Sequence, residues 1–116
     1  MFIGEYRHTL DEKGRIAIPA KMRYAKGGEG EVWVATKGFD RCLFVYPREE
    51  WISIVEKINR NLSLTNRDER SFIRMFISPA NEQTVDKQGR IAIPQSLREY
   101  AGIQRDAVIL GAIKRL

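Results

Sequence analysis

Arg15 and Arg90 each follow a glycine in two near-identical nonapeptides, DEKGRIAIP from Asp11 and DKQGRIAIP from Asp86, which share seven of nine positions 75 residues apart. Arginine presents a planar fork of donors that grips a phosphate, or reads a guanine edge, in two places at once. Lys13 and Lys87 stand on the same short segments. In both copies Asp comes first and Gly fourth, the preference of a type I turn whose left-handed glycine gives a bulged hairpin connection. Asp11, Gly14, Asp86 and Gly89 are therefore the turn-forming residues of two rigid tips, each carrying an arginine. The residues alone leave two readings open. The arginines bind a polyanion, or Asp11 pairs with Arg15 and Asp86 with Arg90 to lock the turns. The two are compatible, because an aspartate that closes a turn also aims the arginine beside it.

Little other chemistry is available. The chain has one histidine, His8, and one cysteine, Cys42. There is no His/Cys cluster to hold a metal, no Gly-rich phosphate loop and no nucleophile with a base at hand, so the reading is of a protein that is not an enzyme and takes no cofactor or small-molecule substrate. A single cysteine excludes an internal disulfide and points to the cytoplasm. The first residues lack the apolar run of an export signal, and no segment has the length of a membrane span, so no membrane partner is expected. Of 116 residues 43% are apolar and 30% charged, a globular balance. The net charge of +5 favours a polyanionic partner. It is spread thinly, with no basic tail, so affinity for nucleic acid has to come from geometry or from several copies acting together.

The elements that position the tips follow from the repeat. It divides the chain into a first module over 5–47, a connecting helical pair over 48–79 and a second module over 80–116. Each module opens with a strand, Phe2 to Leu10 or Ala80 to Val85, and leads through its tip into Ile16 and Ile18, or Ile91 and Ile93, which alternate with alanine. Pro19 and Pro94 then begin short helices, with Met22 and Leu97 at matching places and Gly102 as a stop. The β-forming runs EVWVATKG and DAVILGAI come next, and RCLFVYP adds a further strand in the first module. No counterpart of that last strand is left in the second module. Alternation predicts Ile16, Ile18, Ile91, Ile93, Val32, Val34, Val108 and Leu110 inside one shared core. Between the modules, Trp51, Ile54, Val55, Ile58 and Leu62 form one apolar helical face. The segment Phe72 to Ile77 carries more apolar surface than a single stripe needs. It either packs on the β core or belongs in part to a subunit interface.

The pattern D-x-x-G-R-I-x-I-P, with an arginine a few residues later, is similar to the swapped-hairpin DNA-binding modules of the AbrB and SpoVT group. Two such modules joined by a helical pair that starts at YPREEW resemble the MraZ family of bacterial transcriptional regulators, and the resemblance covers nearly all of the chain. It implies an α+β, mainly β fold: a pseudo-twofold swapped-hairpin β-barrel with short helices and a central helical pair. It further implies a cytoplasmic, nucleoid-associated ring of identical subunits that binds double-stranded DNA at short direct repeats upstream of the division and cell-wall gene cluster. Carried over by position, the DNA-binding residues would be Arg15 and Arg90, with Arg23 and Arg98 in the following helices. His8 matches a further basic position whose counterpart in the second module is Gln83, so that contact is weakened there. The family usually continues beyond this point with another strand and a helical tail. Related antitoxin modules bind proteins instead, which leaves a protein-interaction role as the alternative.

Overall fold

The computed structural model describes residues 3–20, 30–61, 65–111 and 115. In chain order the elements are β1 (Glu5–Thr9), β2 (Arg15–Ala17), β3 (Val32–Lys37), β4 (Leu43–Pro47), α1 (Arg48–Asn61), α2 (Arg67–Phe76), β5 (Asn81–Thr84), β6 (Arg90–Ala92), α3 (Gln95–Ala101) and β7 (Asp106–Leu110). Met22, Arg23 and Leu62, each singled out from the sequence, lie outside the described residues.

The repeated strands pair with each other. Strand β2 runs antiparallel to β6 with Ile16 opposite Ile91, so equivalent residues of the two copies meet face to face and the local axis of the repeat passes between them. Each flank is exchanged in the same way, β1 pairing with β7 and β3 with β5; among the described strands only β3 and β4 pair within one half. The result is two two-stranded sheets and one three-stranded sheet, ordered β4-β3-β5. The described strands form no closed barrel. Among the described residues strand β7 pairs only with β1, whereas β3 has partners on both edges. Between β4 and β7 lies a cavity of about 450 Å³ lined by Ile16, Ile18, Ile91, Ile93, Val45 and Ile109 among others.

Pairing also fixes how the two halves correspond. Thr9 and Thr84 are 75 residues apart; Thr84 faces Val32 and Thr9 faces Asp106, so the counterpart of Val32 is Asp106, only 74 residues on. The second copy is one residue shorter between tip and strand. Trp33 thus corresponds to Ala107 and Ala35 to Ile109, and these four point toward the core, where Trp33 and Ala35 are fully buried. The expectation that Val108 and Leu110 lie inside is corrected. They are 50% and 54% exposed, because Ala107 and Ile109 take the core face of β7 and leave Val108 and Leu110 on the opposite face, the one that on β3 is covered by α2. Val32 is half-buried. Val34 is buried, but on the second face of β3 with Thr36, whose hydroxyl donates to the Phe76 carbonyl of α2. Strand β3 is covered on both faces.

A single core unites both halves: Leu10, Ile16, Ile18, Trp33, Ala35, Val85, Ile91, Ile93 and Leu97. Pro94 precedes α3 as its N-cap rather than occupying its first turn, and Gly102 ends that helix at φ 69°. The other two helices lie over β3 and β4. Helix α2 starts at Asn66, whose side chain accepts from the Glu69 amide at 3.1 Å. Tyr46, Trp51, Phe72 and Phe76 join into one aromatic cluster, with neighbouring ring centroids 5.3 to 5.7 Å apart from Tyr46 through Trp51 and Phe76 to Phe72. Phe76 is buried while Phe72, Ile73, Met75 and Ile77 are half-buried, so most of the surplus apolar surface of this segment is used within the chain.

Candidate nucleic-acid interface

The two tips have the same hydrogen bonds. In the first, Asp11 Oδ1 accepts from the Lys13 and Arg15 amides at 2.9 Å, Gly14 N–H donates to the Asp11 carbonyl at 3.0 Å, and Asp11 N–H donates to the Arg15 carbonyl. In the second, Asp86 accepts from the Gln88 and Arg90 amides at 2.9 Å, with Gly89 and Arg90 closing the turn identically. Gly14 and Gly89 share φ 76°, which a residue with a Cβ adopts only under strain. Each tip is also tied to the other half. Ile93 N–H donates to the Gly14 carbonyl at 2.8 Å and Ile18 N–H to the Gly89 carbonyl at 2.9 Å.

Both arginines pair as the structural reading anticipates. Arg15 Nε reaches Asp11 Oδ2 at 2.7 Å and Arg90 Nε reaches Asp86 Oδ2 at 3.0 Å. The structure adds a contact that spacing does not reveal: Arg90 Nη1 also donates to Asp11 Oδ2, at 3.2 Å. Since Ile16 and Ile91 point inward, the alternating neighbours on β2 and β6 point outward, and Arg15 and Arg90 stand on one outer face around that central pair. Asp11 thus holds both arginines in a single four-residue cluster. The side chains keep 34% and 25% of their surface exposed, so they are part-covered rather than free tips.

The carboxyls of Asp11 and Asp86 are held below the ordinary 3.8, chiefly by the backbone amides of Arg15 and Arg90, with burial opposing and the guanidiniums adding to the lowering. A depressed native value means stability that is fully present above pH 3.8 and is lost as pH falls through the lowered value. Acidification is therefore expected to loosen both tips together. Nitrogen-15 spectra of the Arg15 and Arg90 Nε–H groups across pH 5 to 2 check this (about the range in which carboxylates titrate); signals unmoved by acid would count against the pairing.

Of the remaining residues that sequence singled out, Lys13 and Lys87 are exposed on the tips. His8 sits half-buried on β1 opposite Ala107, on the same side of the strand as Tyr6, which packs against the core. Arg98 is half-buried on α3; its Nε donates to the Ile93 carbonyl at 3.0 Å. On the two tips Lys13, Arg15, Lys87 and Arg90 outnumber Asp11, Glu12 and Asp86 by one. Sequence reasoning expected one shared core but missed the ionic link between the halves, from Arg90 to Asp11.

Comparison with known proteins gives the family of the chain. A sequence model of the family described as "MraZ protein" matches residues 1–75 and again 76–116. The chain belongs to the MraZ family. The transcriptional regulator MraZ of Natranaerobius thermophilus is 53% identical over all 116 residues, which span 78% of that relative. That of Clostridium beijerinckii is likewise 53% identical over 100% of this chain and 79% of its own length. MraZ relatives are named as regulators of transcription, not as enzymes. A Pyrococcus horikoshii protein solved in solution covers 96% of this chain and 94% of its own at 16% identity, with a TM-score of 0.38. No helix among the described residues is long and apolar enough to cross a membrane.

Proposed function

We propose that this chain is a sequence-specific regulator of transcription that binds double-stranded DNA through the outer face of the β2–β6 ribbon. One observation supports it most: two arginines from distant parts of the sequence are held on one face by the shared carboxylate of Asp11. In this reading Arg15 and Arg90 meet base edges or phosphates, and Lys13 and Lys87 flank them. Arg23, Arg98 and His8 are further candidate contacts. The functional units are modules 5–47 and 80–116 joined by the helical pair 48–79, with the exchanged strands belonging to a swapped-hairpin barrel. The protein works in the cytoplasm at the nucleoid, on short direct repeats upstream of the division and cell-wall genes.

Assembly belongs to the same proposal. A few phosphate contacts give only weak non-specific binding, and joining subunits multiplies affinity by about 10² to 10⁴ where geometry lets them engage together. A ring of copies related by rotation suits direct repeats. Mobility shift with duplexes carrying spaced repeats against random duplexes, alongside light scattering at micromolar protein, tests both parts. Preferential shift of the repeats by a species larger than a dimer is expected. Equal binding of both duplexes overturns the specific reading, and tight repeat binding by a monomer overturns the assembly.

A further inference from the structure

The family resemblance casts Arg98 as a DNA contact, but its surroundings give it another task. Its guanidinium lies against Gly14: a Cβ at residue 14 would stand 2.9 Å from both Cζ and Nε of Arg98, and 3.2 Å from Nη2. Gly14 itself is buried. Arg98 Nε donates to the Ile93 carbonyl, and the Ile93 amide donates to the Gly14 carbonyl, so the side chain braces both sides of the strand segment that holds the tip. Among the described residues the Arg98 side chain makes no other hydrogen bond and no ion pair. The helix that carries it is anchored by Leu97, which is 1% exposed in the shared core. Glycine at position 14 therefore answers two demands at once, the left-handed backbone and the space taken by this guanidinium.

We infer that Arg98 is a positioning residue acting across the two halves: helix α3 of the second half sets the geometry of the first tip, and through it the aim of Arg15. The inference rests on the DNA-binding reading for its consequence, but its first test needs no DNA. A flat guanidinium fits between Gly14 and the Ile93 carbonyl, whereas an ammonium has neither the plane nor the Nε–H. Arg98→Lys keeps the charge and removes the brace.

The experiment compares the parent with Arg98→Ala and Arg98→Lys by amide hydrogen exchange. Exchange of Gly14, Arg15 and Ile93 is expected to quicken about tenfold in both variants, while Gly89, Arg90 and Ile18 keep their rates. Equal change at the two tips, or none, overturns the inference whatever happens with DNA. In DNA titrations of folded protein, Arg98→Ala is expected to weaken repeat binding about tenfold in the parent but by less than about twofold once Arg15 is already Ala, since coupled residues are not additive. Rescue by Arg98→Lys, an unchanged penalty beside Arg15→Ala, and a salt slope lower by about one would instead make Arg98 a direct phosphate contact. A parent protein that binds no DNA, with the exchange difference intact, removes the functional reading and leaves the positioning role standing.

Discussion

Arg15→Ala and Arg90→Ala are each expected to weaken binding to spaced repeats by about 1 to 3 kcal/mol, and the double variant to bind repeats no better than random duplex. The magnitude separates the two roles these side chains have. Part-exposed ion pairs such as Arg15 with Asp11 add little to stability, because water screens them and the side chains lose freedom on pairing. A bidentate contact with a base edge is worth more. Unfolding midpoints of the variants should therefore move little while affinity falls substantially. The two losses are not expected to add, since Arg90 and Arg15 share Asp11 Oδ2, and removing either changes what holds the other. Titrations of the parent, both single variants and the double variant at two salt concentrations decide it. If both single variants bound repeats like the parent, the arginines would serve only to lock the turns.

The turns of the tips were legible in the sequence because the hydrogen bonds that close them are local. Asp first and Gly fourth specify the turn, and the observed hydrogen bonds from Asp11 and Asp86 use no residue more than four positions away to do it. The inward set Ile16, Ile18, Ile91 and Ile93 was legible for the same reason: alternation on a strand needs no knowledge of its partner. What failed was the choice of face. Alternation allows either face of β3 and β7 to be the inner one, and it is Trp33, Ala35, Ala107 and Ile109 that turn to the core rather than Val108 and Leu110. The cross-half contacts were invisible for a different reason. Arg90 to Asp11 spans 79 positions and Arg98 to Gly14 spans the two modules, so both depend on the pairing of β2 with β6, which no local pattern encodes. The burial of Val34 and Thr36 likewise depends on where α2 lies.

Trp33→Ala is expected to cost about 3 to 5 kcal/mol of folding stability, the range for truncating a large buried aromatic side chain. Trp33 is 0% exposed and sits on the strand with a partner on each edge, so its ring is enclosed by elements of both halves. Its repeat counterpart is Ala107, and on that side the molecule already has the cavity of about 450 Å³. The core is thus lopsided: one half is filled by an indole, the other by a methyl group and a groove. The indole is packed within the cluster of Leu10, Val85, Leu97 and the four inward isoleucines, so its loss leaves a void inside the shared core. For a domain whose total stability is about 5 to 15 kcal/mol, that is a substantial fraction. Urea unfolding, followed by the fluorescence of Trp51 in the aromatic cluster, measures it, since the chain has only two tryptophans. The midpoint should fall sharply with the slope unchanged. A loss below about 1 kcal/mol would mean that the two halves do not close over Trp33, and that the exchanged pairing of β3 with β5 is not the state in solution.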